Sequence, residues 1–177
     1  YHLKRNGISY QLSKTDSEKI NTSEFAKHTR ATQTQPDQIS ISRLDINWLN
    51  SNQNSKIIKG SPNKGYDNYY LENCPNGVLH VQNYREITYQ NIYTGIDLKW
   101  YGQSGHLKYD YIVAAGADYK QIKLDIKGAE KIYINEQGEL EIKTSLGTII
   151  EQAPVVTQNT QHLKATWVIK KNVVSYD

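Results

Sequence analysis

The sequence predicts an all-β domain, mainly antiparallel and folded as a two-sheet β-sandwich. Apolar and polar residues alternate over short runs from Val78 onward, and turn signals interrupt them about every eight to twelve residues. The clearest case runs from Ile96 to Val113. Ile96, Leu98 and Trp100 share one face and Asp97, Lys99 and Tyr101 the other. After Gly102 to Gly105 the alternation resumes with Leu107, Tyr109, Tyr111 and Val113, so this stretch is expected to be the central hairpin. No repeat with a period of roughly 20–50 residues is visible. That sets a solenoid aside in favour of a two-layer or closed β architecture.

Taken in order, Tyr1 to Arg5 and Ile8 to Leu12 flank Asn6-Gly7, a two-residue signal for a type I′ hairpin. Residues Ser13 to Gln38 are rich in Ser, Thr, Gln, Asn and charge. They read as a long polar loop, with a helical turn around Glu24 to His28 and a Pro36-Asp37 turn at the end. Gln38 to Leu49 reads as a strand with a fault in phase. Ile39 and Ile41 are odd whereas Leu44, Ile46 and Trp48 are even, so a β-bulge near Ser42-Arg43 is expected. Lys56 to Lys59 is a short strand, Gly60 to Gly65 a loop, Tyr66 to Leu71 an extended segment, and Asn73 to Gly77 a tight connection. Strands follow at Val78 to Gln82, Arg85 to Tyr89, Ile122 to Lys127, Val155 to Gln158, Leu163 to Lys170 and Val173 to Tyr176. Between Lys131 and Gln152 the turns at Gln137-Gly138 and Leu146-Gly147 imply a three-strand meander. Its apolar residues Ile132, Ile134, Leu140, Ile142 and Ile149 take alternate positions.

Several runs have an unusual and extended character. Asn91-Ile-Tyr-Thr-Gly-Ile-Asp-Leu98 leads to Trp100-Tyr-Gly102, then to Leu107-Lys-Tyr-Asp-Tyr-Ile-Val-Ala-Ala-Gly-Ala-Asp118. Asn68-Tyr-Tyr-Leu71 precedes them; Gln121 to Gly128, Glu136 to Leu140, Gln152-Ala-Pro-Val-Val156 and Tyr176-Asp177 follow. Through these runs, from about Asn68 to the end, the chain resembles the N-terminal domain of SBBP-repeat (β-propeller-repeat) surface proteins. Before Asn68 only Gly7 and the strand around Ile39 to Trp48 line up. Such proteins are often large and often end in a gliding-motility-type sorting domain. The resemblance implies an exported, cell-surface or secreted location, and it implies no known activity.

At 177 residues the chain fits one domain, 1–177, long enough to need no disulfide staple. The single cysteine, Cys74, lies in the turn-like run Asn-Cys-Pro-Asn-Gly, where it reads as an ordinary small residue. A net charge of +3 from scattered Lys and Arg does not form the basic stripe of a nucleic-acid binder. No run approaches the ~18 apolar residues of a membrane span. No signal peptide is recognisable; with a strand pattern opening at Tyr1 and no methionine, the chain is expected to be a piece of a larger exported protein.

Catalytic patterns are weighed against simpler roles. There is no Gly-x-Ser-x-Gly elbow and no His-Glu-x-x-His helix, and the five histidines lack paired spacing. His80 reads as a strand residue on the wet face. Asp97 and Asp110 lie on neighbouring strands and, counted from the turn, fall opposite or one position apart. That could serve glycoside hydrolysis, or Asp97 could bond backbone amides while Asp110 pairs with Lys99 or Lys108. Calcium is the possible cofactor, with Asp97, Asp110, Asp118 and Glu130 as oxygen donors, although no dedicated Asp-x-Asp-x-Asp-Gly loop occurs. Tyr66, Tyr69, Tyr70, Trp100 and Tyr101 are candidates for stacking on sugars, against the alternative that Trp100 is core in phase with Ile96 and Leu98.

The expected function is therefore a non-catalytic structural or adhesion module of an exported bacterial surface protein. Its expected partners are other modules of the same protein or neighbouring surface proteins, and glycans. A carbohydrate-binding module is the second reading, and docking to secretion or sorting machinery a third. Exposed strand edges would favour a protein partner or polymerisation by strand addition through the Tyr1 to Leu12 hairpin.

Overall fold

Alternating side chains turn most of the chain into strand in the computed structural model, which describes residues 1–16 and 38–177. In chain order these are β1 His2–Lys4, β2 Gly7–Asp16, β3 Gln38–Trp48, β4 Lys56–Lys59, β5 Pro62–Leu71, β6 Cys74–Tyr84, β7 Glu86–Tyr93, β8 Ile96–Gln103 and β9 His106–Val113. A 3-10 turn, Tyr119–Gln121, precedes β10 Lys123–Lys127, β11 Lys131–Ile134, β12 Leu140–Thr144, β13 Gly147–Glu151, β14 Val156–Gln158, β15 Gln161–Leu163, β16 Trp167–Lys170 and β17 Val173–Tyr176. The fold is all-β, with antiparallel pairing in each of its ladders described below. It divides into two compact units. One comprises Tyr1–Asn47, Leu124–Ser175 and Asp177; the other comprises Trp48–Lys123 and Tyr176.

The first unit is built on a six-stranded sheet ordered β1-β2-β3-β10-β17-β16. Its ladder β2–β3 runs unbroken from Gly7↔Asn47 to Asp16↔Gln38. Ile8, Leu44, Ile46, Leu124, Ile126, Trp167 and Val174 are buried on it. The expected meander forms as β11-β12-β13. Register Ile132↔Ile142 and Ile142↔Ile149 puts the apolar residues on one face, where Leu140 and Ile142 are buried. A Cβ on Gly147 would meet Leu12 Cδ2 at 3.4 Å, so the end of β13 in the meander lies beside β2. The indole N–H of Trp167 donates to the Gln152 carbonyl at 3.0 Å. The strand expected from Leu163 to Lys170 is broken; β15 pairs with β14 and β16 belongs to the large sheet.

Three expectations for this unit are corrected. No bulge interrupts β3. Ser42, Leu44, Ile46 and Trp48 are buried, while Ile39 and Ile41 keep the opposite phase and are 61% and 62% exposed. The N-terminal hairpin turns through Arg5-Asn6, since Lys4 pairs with Gly7, and neither turn residue has the positive φ of a type I′ turn. Gly7 instead lets β2 approach the Ile46 carbonyl, where a Cβ would collide. The expected loop, 13–38, is strand at both ends, because β2 extends to Asp16 and β3 starts at Gln38. The helical turn expected around Glu24 to His28 lies outside the described residues.

On the outer face of β2–β3, Asp45 gathers three donors. Lys4 Nζ lies 2.8 Å away, Arg43 Nε lies 3.0 Å away, and the Ser9 hydroxyl donates as well. The hydrogen bond from Lys4, then that from Ser9, holds the carboxyl well below the usual carboxylate range. A depressed folded-state pKa contributes stability that is complete above the unfolded value, about 4, and is lost as pH falls through it towards the folded one. Asp45→Asn is therefore expected to lower stability at neutral pH by about 1 kcal/mol. Urea titrations should show the two proteins converging below about pH 3; a constant gap would show that the carboxylate charge is not the source.

The second unit carries a four-stranded sheet ordered β4-β7-β8-β9 and the separate hairpin β5–β6. The central hairpin is β8–β9, paired from Ile96↔Val113 to Gln103↔His106 around a two-residue turn, Ser104-Gly105. Both turn residues have positive φ, 51° and 80°, as a type I′ turn requires. The core contains Trp48, Tyr89, Ile92, Tyr93, Ile96, Leu98, Trp100 and Ile122. Its rings interlock: Trp48 meets Tyr89 edge-on at 5.1 Å, and Trp100 lies 4.8 Å from Tyr109. The expected loop at Gly60 to Gly65 and connection at Asn73 to Gly77 are largely strand, belonging to β5 and β6.

Candidate functional site: the exposed aromatic arm

Hairpin β5–β6 differs from the other long strands in burial. All ten residues of β5 are exposed, so neither face of that strand is covered. The ladder is irregular, with register shifts between Pro62/Tyr66, Asp67/Tyr69 and Tyr69/Leu71. Polar side chains compensate for the interrupted ladder. Gln82 Nε2 donates to the carbonyls of Asn63 and Gly65 at 2.8 and 3.1 Å, and Asn83 donates to Asp67 at 2.7 Å. His80 lies in β6 and is exposed, the wet-face strand position expected of it, with an unusual local geometry. Its φ is +57°, its N–H donates to Asn68 Oδ1, and its ring lies 4.5 Å from that of Tyr66.

On this frame stand Tyr66, Tyr69 and Tyr70 with Leu71, Val78 and Leu79, all substantially exposed. Tyr70 has a particular setting. A Cβ on Gly77 would meet its ring carbons at 3.1 and 3.3 Å, so the ring leans on a residue that has no side chain. Yet Tyr70 is 73% exposed. The Cδ1–Cε1 side of the ring lies beside Gly77 and most of the side chain is open to solvent, so the ring is available for stacking. Cys74 is the first residue of β6, half-buried and opposite Leu71, and the turn is Glu72-Asn73.

Of the five aromatic candidates, the structure brings Tyr66, Tyr69 and Tyr70 onto one hairpin. Trp100 is not available for binding; it is 4% exposed and packed in the core. Tyr101 is half-buried on the four-stranded sheet, where its hydroxyl donates to Asp110 at 3.3 Å and Lys99 Nζ lies 5.9 Å from its ring. Leu71, Val78 and Leu79 were missed as members of the surface, because exposed and buried apolar residues read alike in sequence.

The carboxylate candidates are dispersed. Asp97 is opposite Ile112, and Asp110 is opposite Lys99, so the two acids are diagonal and not facing. The Asn91 N–H donates to Asp97 Oδ1 at 2.7 Å, the structural role expected of a strand-start aspartate. Asp118 caps the 3-10 turn by accepting from the Lys120 N–H at 3.0 Å. Among the described residues no three His, Cys, Asp or Glu side chains form a cluster that could hold a metal ion. An open cleft of about 310 Å³ is lined by Asn50, Tyr93, Asp118, Lys120, Gln121 and Lys123. Burial raises the Tyr93 hydroxyl to about 12, against the opposing effect of its bond to the Lys123 carbonyl. The cleft holds charges of both signs, Asp118 against Lys120 and Lys123.

The family model described as "Domain of unknown function (DUF7948)" matches residues 1–177. The chain belongs to the DUF7948 family. The match spans both compact units, so the DUF7948 domain includes the aromatic arm as well as the six-stranded sheet. No curated protein and no solved structure matches the chain. No helix among the described residues is long and apolar enough to cross a membrane.

Proposed function

We propose that this DUF7948 domain is a non-catalytic structural and adhesion module of an exported bacterial surface protein. The observation that carries the reading is β5, a ten-residue strand exposed throughout, paired with a β6 that adds exposed Val78 and Leu79. A two-stranded hairpin is marginal in water, and one bearing Tyr and Leu outward gains most by contact with another surface. Placement at the cell surface, and association with SBBP repeats and a gliding-motility-type sorting domain, rest on the sequence resemblance described above. Calcium enters this reading only as an accessory ion to be screened.

Carbohydrate is the second reading, favoured by the open ring of Tyr70 beside Gly77. The test is a thermal-shift screen against polysaccharide fragments and calcium, together with attachment of domain-coated beads to glycan-coated and protein-coated surfaces. A specific ligand at a hundredfold excess over its Kd adds about 2.7 kcal/mol of stability. The adhesion reading expects attachment that falls at least tenfold for Tyr69→Ala/Tyr70→Ala, with an unchanged melting temperature. A thermal shift with one glycan, lost in the same variant, would select the carbohydrate reading. Attachment indifferent to both tyrosines would overturn the assignment to the arm, and turnover of a glycan would overturn the non-catalytic reading.

A further inference from the structure

We infer that the cleft lined by Asn50, Tyr93, Asp118, Lys120, Gln121 and Lys123 is a binding site for one acidic sugar residue, a hexose ring carrying a single carboxylate. All six residues belong to the second compact unit and none lies on the aromatic arm, so the inference goes beyond the adhesive role given to that hairpin. The space, about 310 Å³, is at the small end of the range for ligand sites and gives room for one ring. Tyr93 is buried, Gln121 half-buried and the other four exposed, so a polar rim surrounds a buried tyrosine.

Segments far apart in the chain are tied together to make this cleft. The Leu49 N–H, next to Asn50, donates to the Lys123 carbonyl at 2.8 Å. The Tyr93 hydroxyl reaches the same carbonyl at 3.4 Å. Gln121 Nε2 donates to the Thr94 carbonyl at 3.3 Å and to the Asp118 carbonyl at 2.9 Å, which joins the 3-10 turn to the residue after Tyr93. A Cβ on Gly95 would meet Ala117 Cβ at 2.8 Å, so the β7–β8 turn and the residues before Asp118 are in close contact. Asn50 itself has φ +56°, a left-handed conformation that asparagine accepts more readily than most residues. These ties place the lining groups before any ligand arrives, which lowers the ordering that binding would otherwise require.

The groups left over decide the ligand. Among the described residues Lys120 and Lys123 take part in no ion pair, and each offers N–H donors with a positive charge. Asp118 Oδ1 accepts from the Lys120 N–H at 3.0 Å, and Oδ2 remains as an acceptor. Gln121 Nε2 already serves two carbonyls, so Oε1 is the part of that amide left to accept. Asn50 adds an amide that can donate and accept. A fitting ligand therefore presents an anionic group to the lysines and hydroxyl donors to Asp118 and Gln121. An inorganic anion supplies the charge but few donors, and it meets the Asp118 carboxylate as a like charge. A neutral sugar supplies the hydroxyls and leaves both ammonium groups without a counter-charge. A sugar carboxylate supplies both, with charge-assisted hydrogen bonds to the lysines.

Amide NMR titrations with galacturonate and glucuronate test the inference, with galactose, glucose and inorganic phosphate as comparisons. One or both hexuronates are expected to bind saturably, shifting the backbone amides of Lys120, Gln121 and Lys123 and the side-chain amides of Asn50 and Gln121. The neutral sugars and phosphate should bind about tenfold more weakly or worse. Lys120→Gln/Lys123→Gln, at two exposed positions, should bring the hexuronate down to the level of the neutral sugar. Asp118→Asn keeps an oxygen for the Lys120 N–H and should raise phosphate binding relative to hexuronate. Tyr69→Ala/Tyr70→Ala should leave hexuronate binding unchanged, which separates this site from the arm. Phosphate bound as tightly as hexuronate would make the cleft a plain anion site, and a neutral sugar bound as tightly would mean that the lysines recognise nothing. Either result would overturn the proposal. So would the absence of saturable shifts, shifts confined to the arm, a double lysine variant that binds like wild type, or a phosphate preference unmoved by Asp118→Asn.

Discussion

Gly128→Ala is expected to destabilise the six-stranded sheet by about 3 kcal/mol or more, the sum of a backbone conformation and a collision. Gly128 follows β10 with φ +88°, a region that costs an L-residue with a Cβ roughly 1–3 kcal/mol. A Cβ there would also fall inside contact distance of the Arg43 carbonyl oxygen, with Leu44 Cα at 3.5 Å. Those are backbone atoms of β3, so relief requires the β3–β10 neighbours to part. Gly102→Ala is the matched control. Gly102 lies in β8 with nothing within 4 Å of the added carbon, and its φ is not among the positive ones. Urea unfolding should shift strongly for the first variant and hardly at all for the second. Equal, small shifts would mean that β10 does not need its close approach to Arg43.

The same residues show what was legible in advance. Gly128 could be read as a turn signal after the Ile122 to Lys127 strand, but its second task, closeness to β3, is a non-local fact. Gly7 carries the same lesson, since its role is approach to Ile46 and the turn it was expected to make lies one residue earlier. Where one face is buried and one is wet, period two reports register, and the β8–β9 hairpin and the meander were readable for that reason. The expected β3 bulge failed because it assumed that every isoleucine must reach one core. At the far end of the β2–β3 ribbon the strand instead leaves Ile39 and Ile41 in solvent. The arm was hardest to read. Without a buried face its alternation carries no phase, and its three register shifts remove what pattern remains. The tyrosines of the candidate surface were visible as residue types. Their union on one hairpin, and the exclusion of Trp100 from it, depended on pairing and burial.

Trp100 gives the second large effect, and it separates packing from binding. Trp100→Ala is expected to cost about 3–5 kcal/mol, the range for emptying a large buried aromatic site. The side chain is 4% exposed, with Trp48 at 6.4 Å and Tyr109 at 4.8 Å between ring centroids. Its loss leaves a void between residues that cannot all move inward, because β7, β8 and β9 are held by their ladders. Trp100→Phe should cost distinctly less. It retains a ring, and it removes an indole N–H that is buried with no protein partner among the described residues. Tyr70→Ala should leave stability within about 0.5 kcal/mol, as expected for a largely exposed side chain. The pair therefore gives opposite readouts. Trp100→Ala should lower the melting temperature, and any loss of attachment should follow unfolding, whereas Tyr70→Ala should lower attachment in a domain of unchanged stability. If Trp100→Ala were folded and stable yet unable to attach, the indole would belong to the binding surface and the burial argument would fail. If Tyr70→Ala instead melted early, the arm would be a structural element whose aromatic residues hold the domain together, and the adhesion reading would lose its principal support.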